Sequence, residues 1–261
     1  MRLRQVSILI LLLYAGLTVY NVFSIYFGIA FQPFFTPLLT ILAFIFALLH
    51  GIQHLGWQKT LLLLGLTFGV SLFFESVGVA TGWVYGPYHY TDKLGPKFLD
   101  LVPFLIPVAW FMTSYPSYII GSLVTAKLLP VRDDTTLPSW VWRLAAAAVG
   151  ALVMTAWDLA MDPMMVAGGH WVWDVQGAYF GIPLQNYWGW WLTVFVAFAL
   201  YGFLGKPEPI SVTSPRRNER LAIVSYAITG MSCVLIDLQI GLGGPALTGF
   251  FGMLPWIFLG W

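Results

Sequence analysis

The chain has 261 residues, of which 59% are hydrophobic and only 9% are charged, and its formal net charge is +1. Because a soluble domain normally carries about 25% charged residues, this composition excludes a soluble fold and indicates an integral membrane protein. The charge balance gives no sign of nucleic-acid binding, and the single cysteine, Cys233, excludes a disulfide framework and a cysteine-based metal site.

Eight apolar runs follow one another along the chain, each close to the length of about 20 residues that a helix needs to cross a bilayer. They predict an all-α fold, a polytopic transmembrane helix bundle that forms a single membrane domain over residues 1–261. The second and last runs are short, so a bundle of seven spans is the alternative. The predicted spans are residues 6–29, 34–50, 60–80, 102–126, 142–162, 187–204, 221–240 and 245–261.

The positions of the basic residues orient this bundle. If the N-terminus is cytoplasmic, ten of the twelve Lys and Arg residues lie on the cytoplasmic side, and only Lys93 and Lys97 lie outside. Since an excess of Lys and Arg in short loops marks the cytoplasmic face, we expect a multi-pass protein of the cell membrane with a cytoplasmic N-terminus. The ten cytoplasmic residues are then Arg2, Arg4, Lys59, Lys127, Arg132, Arg143, Lys206, Arg216, Arg217 and Arg220.

Two of the predicted outside loops, residues 82–100 and 163–186, are long and rich in glycine, tryptophan and tyrosine. Aromatic side chains collect at membrane interfaces, but their density here also predicts an aromatic-lined pocket. The aromatic and histidine side chains concerned are Trp83, Tyr85, Tyr88, His89, Tyr90, Trp171, Trp173, Tyr179 and Tyr187.

Four carboxylates lie deep inside apolar spans, toward the outer end. Glu75, Asp158 and Asp237 follow the cytoplasmic basic anchor of their helices by 16, 15 and 17 residues. At 1.5 Å per residue, all three lie about 22–26 Å from the inner surface. Asp162 follows Asp158 by one turn on the same helix face, directly before Pro163, which predicts a helix boundary or a kink. Clustered carboxylates in a low dielectric cannot all ionise, so we expect at least one to remain protonated and to act as a proton donor.

The residues that several other classes of membrane enzyme require are absent from the sequence. Four histidines are too few for the His-box motifs of membrane di-iron enzymes. His50 and His54 are one turn apart, but they lie at the cytoplasmic end, away from the acids, so a polar interface role is favoured over a metal site. The glycine-rich stretch 241–244 follows a membrane helix without a βαβ context and is not a dinucleotide site. Cofactor-free acid–base chemistry, metal–diphosphate chemistry and transport remain open.

Three stretches resemble a known family. They are FESVGVATGWVYGPYHYTDKLGPKFLDLVPF at 74–104, AWDLAMDPMMVAGGHWVWDVQGAYFGIPLQNYWGW at 156–190, and VPFLIPVAWFMTSYPSY at 102–118. The chain is similar there to the carotenoid biosynthesis membrane protein family, whose members include carotenoid 1,2-hydratases. The resemblance implies that water adds across the terminal carbon–carbon double bond of an acyclic (ψ) carotenoid end group, giving a tertiary alcohol without a cofactor. It also implies a carotenoid substrate, and other carotenoid biosynthesis enzymes as partners.

Under this hypothesis each acid has an expected role. The Asp158 and Asp162 pair supplies the proton, while Glu75 and Asp237 relay protons or position water. His170 and Asp174, four residues apart near the outer mouth, deliver water or a proton. Aromatic faces stabilise the carbocation. The expected substrate-binding residues are Trp83, Tyr85, Tyr88, His89, Trp157, Trp171, Trp173, Tyr179 and Asn186.

Three rival interpretations use the same residues. The spacing of Asp158 and Asp162 resembles that of carboxylates which hold Mg²⁺ against a diphosphate, as in a membrane prenyltransferase. A carotenoid cyclase would use the same protonated acid, with an internal alkene in place of water. A proton-coupled transporter or a carotenoid-binding protein would use intramembrane acids without catalysis.

Overall fold

The structure, a computed structural model, describes residues 3–29, 34–129, 138–208 and 219–261. These residues form a bundle of eight α-helices with four short strands. The helices are α1 (Leu3–Tyr26), α2 (Phe35–His54), α3 (Trp57–Thr81), α4 (Leu105–Leu128), α5 (Ser139–Ala167), α6 (Leu184–Gly205), α7 (Glu219–Gln239) and α8 (Gly243–Gly260). The strands are β1 (Tyr88–Tyr90), β2 (Lys97–Phe98), β3 (Val102–Pro103) and β4 (Trp171–Trp173). Each predicted span coincides with one helix, so the predicted all-α bundle is confirmed.

Six of the described helices are long and apolar enough to cross a membrane, and α4 and α8 are the two that do not meet this criterion. The composition of α4 follows from its position, because it packs against α2, α3, α5, α7 and α8. Its buried side chains include the polar residues Thr113, Ser114 and Ser117. A helix surrounded by protein needs no apolar face toward lipid, so α4 tolerates a more polar sequence than the helices around it.

Glycine brings α4 and α5 into close contact at the centre of the bundle. A Cβ atom on Gly121 of α4 would lie 2.5 Å from the backbone of Gly150 on α5. Small residues let membrane helices approach closely, which gains van der Waals packing where no hydrophobic force acts between helices. This contact fixes α5, with its two aspartates, against the central helix.

The two aromatic-rich loops meet in a small antiparallel sheet that the sequence did not predict. Strand β1 pairs with β4, with Tyr88 opposite Trp173, His89 opposite Val172 and Tyr90 opposite Trp171. Because side chains alternate along a strand, Tyr88, Tyr90 and Trp171 are buried beneath the sheet while His89 and Val172 are exposed. The pairing places the α3–α4 and α5–α6 connections at one end of the bundle, which we call the sheet end.

The described basic residues divide between the two ends as predicted. Lys93 and Lys97 lie in the α3–α4 connection at the sheet end. The others lie at helix termini of the opposite end: Arg4, Lys59, Lys127, Arg143, Lys206 and Arg220. Arg2, Arg132, Arg216 and Arg217 fall outside the described residues.

The expected helix boundary at Pro163 is wrong, since α5 continues through Pro163 to Ala167. Proline has no backbone N–H, so the carbonyl four residues earlier, that of Leu159, loses its intrahelical donor. The hydroxyl of Tyr179 donates to this carbonyl at 2.8 Å. Asp162 is therefore a fully buried residue within a continuous helix, not an interfacial one.

Candidate active site

A cavity of about 860 Å³ occupies the sheet-end half of the bundle. Side chains from seven helices, α1 to α7, and from both strands of the β1–β4 sheet line it. Two of the four intramembrane acids, Glu75 and Asp162, face this cavity. The lining is otherwise mainly apolar and aromatic, which suits an oily substrate.

Glu75 is surrounded by three hydrogen-bond donors. The Tyr90 hydroxyl donates to its Oε2 at 2.8 Å, the Tyr88 hydroxyl donates to the same oxygen, and Trp110 Nε1 donates to Oε1 at 3.0 Å. Burial, and then the charge of Glu75, raise the pKa of both tyrosines well above the ordinary value, so both phenols remain protonated donors. These three donors favour the ionised form of Glu75, whereas its burial favours the protonated form.

Asp158 and Asp162 form a second carboxyl centre that Asn186 joins. The Asn186 side-chain amide donates to Asp158 Oδ2 at 2.9 Å and to Asp162 Oδ2 at 2.8 Å. Trp171 Nε1 donates to Asp162 Oδ1 at 2.7 Å. Asp158 Oδ1 is buried and has no hydrogen-bond partner among the described residues. Two carboxylates that share one amide nitrogen in a buried site repel each other when both are ionised, so the pair retains at least one proton.

The sheet links the two carboxyl centres. Tyr90 and Trp171 are directly opposite each other in the β1–β4 ladder, and their rings meet edge to face with centroids 5.9 Å apart. Tyr90 binds Glu75 and Trp171 binds Asp162, so the register of the ladder fixes one carboxyl group relative to the other. A slip of one residue would turn both side chains to the opposite face.

Indole rings form much of the remaining wall. Trp110 and Trp190 stack with centroids 4.2 Å apart, and Trp157 meets Trp190 edge to face at 6.0 Å. These rings line the cavity together with Trp171 and Trp173. The faces of such rings attract a cation by about 2 kcal/mol or more when it is desolvated. The wall can therefore stabilise a positive charge that develops between the two carboxyl centres.

Comparison with known proteins shows the family of this chain. The model of a family described as "Carotenoid biosynthesis protein" matches residues 35–255. This chain belongs to the carotenoid biosynthesis protein family. Bisanhydrobacterioruberin hydratase from Haloarcula japonica is 40% identical over 129 residues, which are 49% of this chain and 40% of that protein. The match thus spans less than half the length of this curated relative. No solved structure shows significant similarity to the chain.

For this member of the carotenoid biosynthesis family, the structure brings most of the predicted site residues to the cavity. Glu75 and Asp162 lie there with Tyr85, Tyr88, Trp157, Trp171, Trp173 and Asn186. Tyr85 packs below Gly78, and its hydroxyl lies 2.8 Å from that of Thr193. His170 also lines the cavity, and burial lowers the pKa of its imidazole below the ordinary value.

Other predicted residues lie elsewhere. Trp83 is 81% exposed. Asp174 is separated from His170, since it is half-exposed and lies 2.8 Å from His89 Nδ1 outside the cavity. The strand geometry explains this, since His89 is on the outer face of β1. Tyr179 is also absent from the lining and binds the Leu159 carbonyl instead, as described above.

Asp158 and Asp237 are buried but do not line the cavity. Asp158 is connected to the cavity through Asn186, whose amide also binds Asp162. Neither carboxyl oxygen of Asp237 has a hydrogen-bond partner in the part of the chain that is described. Within that same part, no group of three or more His, Cys, Asp or Glu side chains is arranged to hold a metal ion.

Sequence reasoning missed Trp110 and Trp190 as lining residues and Tyr90 as a ligand of an acid. Trp110 and Trp190 lie inside predicted spans, where a tryptophan is not distinguished from any other apolar residue. Tyr90 was noted for the density of aromatics in its loop, but its distance from Glu75 in the sequence gave no sign of contact. The alternation of Tyr88, His89 and Tyr90 is too short to have served as a signal.

Proposed function

We propose that this protein hydrates the terminal carbon–carbon double bond of an acyclic carotenoid end group and gives a tertiary alcohol. One observation carries the proposal: two buried carboxyl centres with unlike hydrogen-bond environments face one aromatic cavity. The printed name of the Haloarcula japonica relative, a hydratase, supports the same reaction. The substrates are the carotenoid and water, and the chemistry requires only an acid and a base.

The first step is protonation of the alkene. A trisubstituted alkene is a weak base, so it needs a protonated acid in contact and out of bulk water. The pair of Asp158 and Asp162, which shares at least one proton, is the proton donor, and Asp162 is its member that faces the cavity. The electron pair of the π bond takes this proton and forms the new C–H bond at the less substituted carbon. The other carbon is left as a tertiary cation, and the pair gains one negative charge. Asp158 and Asn186 are positioning residues that keep a proton on the pair and orient it.

The second step is addition of water to the cation. The Trp110 and Trp190 faces stabilise the cation until water forms the C–O bond. Glu75, whose ionised form is favoured by three donors, accepts the proton that the attacking water loses. Return of this proton to Asp162 through water restores the starting state. The net reaction is alkene plus water to alcohol, with no oxidation or reduction.

In the cell, the protein would lie in the cell membrane with its N-terminus in the cytoplasm. The basic residues at the end opposite the sheet support this orientation. The cavity and its acids would then lie toward the outer leaflet. The apolar polyene would extend from the acids toward lipid, with only its end group at the carboxyl centres.

The test is expression in a lycopene-producing host followed by mass analysis of the pigments. The unaltered protein should yield pigments heavier by one or two waters, whereas a cyclase would leave the mass unchanged. Asp162→Asn should lower conversion at least about 100-fold, the lower range for loss of a general acid. The matched control is Asp92→Asn, which removes an exposed carboxylate paired with Lys97.

Protein amount and elution in detergent should be equal for both variants and the unaltered chain. Wild-type conversion by Asp162→Asn would overturn the assignment of the proton donor. An unchanged pigment mass with the unaltered, folded protein would overturn hydration itself and favour a carotenoid-binding or transport role.

A further inference from the structure

The cavity has a second polar wall that takes no part in the proposed chemistry. Tyr14, Thr18, Asn21 and Ile25 of α1 all line the cavity. Their spacings of four, three and four residues place them on one face of the helix. Polar side chains of α2 and α7 complete this wall: Thr36, Thr40, Thr229 and Ser232.

This polar wall is built on helices other than those that carry the carboxyl pair. It lies on α1, α2 and α7, whereas Asp162 is on α5 and Asn186 is on α6. None of its polar residues has a role in the proposed hydration. The α1 residues also lie outside the family match, which begins at residue 35.

Most polar groups of this wall already have partners. The Tyr14 hydroxyl lies 2.7 Å from Thr229 Oγ1, and this contact joins α1 to α7. The hydroxyls of Thr40 and Ser232 donate to carbonyls of their own helices. Thr18 and Asn21 differ. Thr18 Oγ1 is buried and has no hydrogen-bond partner among the described residues, and Asn21, which is 8% exposed, makes no side-chain hydrogen bond to them.

Polar side chains that line a cavity without a protein partner are available to a ligand. The amide group offers two donors and one acceptor, and leaving them unpaired in an apolar interior is costly. The wall contains no charged side chain among the lining residues of α1, α2 and α7. It therefore matches neither a diphosphate nor an amine. A neutral hydroxyl group, which both donates and accepts, satisfies it.

We propose that Asn21, with Thr18 beside it, forms a polar subsite for a hydroxyl group on an acyclic isoprenoid. The isoprenoid nature of the ligand rests on the proposed function, whereas the hydroxyl recognition rests on the wall itself. The protein thus prefers substrates that already carry an alcohol within the same cavity. Tyr14 and Thr229 are positioning residues that hold α1 against α7.

The test compares two ligands of one carbon skeleton, a tertiary alcohol and the hydrocarbon that its dehydration gives. Geranyllinalool is an acyclic isoprenoid tertiary alcohol, and β-springene is the corresponding hydrocarbon. Binding to the purified full chain in detergent is measured by quenching of intrinsic tryptophan fluorescence, because five tryptophans line the cavity. Asn21→Leu should weaken binding of the alcohol about tenfold, the effect of one lost hydrogen bond to a buried group. Binding of the hydrocarbon should stay within about twofold.

Thr18→Val should reduce the preference for the alcohol in the same direction. The matched control is Thr67→Val, at a buried threonine of α3 that does not line the cavity, and it should leave both affinities unchanged. Where Asn21→Leu fails to fold, Thr18→Val carries the test. Equal weakening of both ligands, or an unchanged preference for the alcohol, would overturn the subsite. All binding is measured in an Asp162→Asn background, because both ligands carry the terminal alkene that the proposed reaction would hydrate. A failure of the hydration proposal then leaves this result independent.

Discussion

The Tyr179 hydroxyl should stabilise α5 only because Pro163 is present. Proline at position 163 leaves the Leu159 carbonyl without a backbone donor, and the Tyr179 hydroxyl, at 2.8 Å, replaces it. Tyr179→Phe should therefore lower the free energy of unfolding by about 1–3 kcal/mol, the cost of a carbonyl left unpaired in an apolar environment. In a Pro163→Ala background the backbone N–H returns to the helix, so the same substitution should cost about 0.5 kcal/mol or less.

The assay is a double-mutant cycle measured by reversible unfolding in mixed detergent micelles. The coupling energy between the two positions is the difference between the costs of Tyr179→Phe with proline and with alanine at position 163. The matched control is Tyr20→Phe, on the lipid-facing side of α1, where the side chain is 52% exposed. An equal cost of Tyr179→Phe in both backgrounds would refute the reasoning, since the hydroxyl would then act through some other contact.

Three further substitutions test other parts of the structure. Gly121→Ala should destabilise the protein by about 2 kcal/mol in detergent unfolding, because its Cβ would lie 2.5 Å from the backbone of α5; Gly69→Ala, with no neighbour within 4 Å, should change stability little. Trp171→Phe removes the donor to Asp162 and should lower pigment conversion about tenfold, whereas Trp83→Phe, at an exposed site, should not. Burial lowers the pKa of His170 from 6.5, so the unfolded chain binds this proton more readily and stability falls as the pH drops below about 6.5. His170→Gln should reduce that acid-side decline in Tm.

The helices were predictable from the sequence because lipid imposes a simple constraint on them. Apolar runs near the membrane thickness gave eight spans, and each coincides with a helix in the structure. The sequence did not show that α4 is central, because that depends on which helices surround it. Ser114 and Ser117 are among the polar residues that α4 buries in this position.

The sheet was beyond sequence reasoning for a different reason. β1 and β4 have three residues each and are separated by about eighty residues, and alternation over three residues carries almost no information. Their pairing is fixed by contacts with buried side chains, such as that of Trp171 with Asp162. These contacts form only once α3 and α5 are side by side at the right depth.

For the four acids, the sequence predicts the depth in the membrane but not the direction in which each side chain faces. Counting along the helices placed Glu75, Asp158 and Asp237 near one level, and all three are buried. Depth does not give the rotation of a helix about its axis, so it did not separate Asp162, which faces the cavity, from Asp237, which does not. Rotation is decided by packing, here by the close contact of α5 with α4 and α6.

The aromatic character of the site follows from how a carboxylate can be held inside a membrane. Helical backbone N–H groups are already used within the helices, so the donors must come from side chains. A lysine or arginine would neutralise the acid by pairing with it. Tyrosine and tryptophan provide one O–H or N–H donor on a large apolar body. Tyr88, Tyr90 and Trp110 do this for Glu75, and Trp171 does it for Asp162. The same rings then present π faces to the cavity, so the residues that hold the acids also suit a carbocation intermediate.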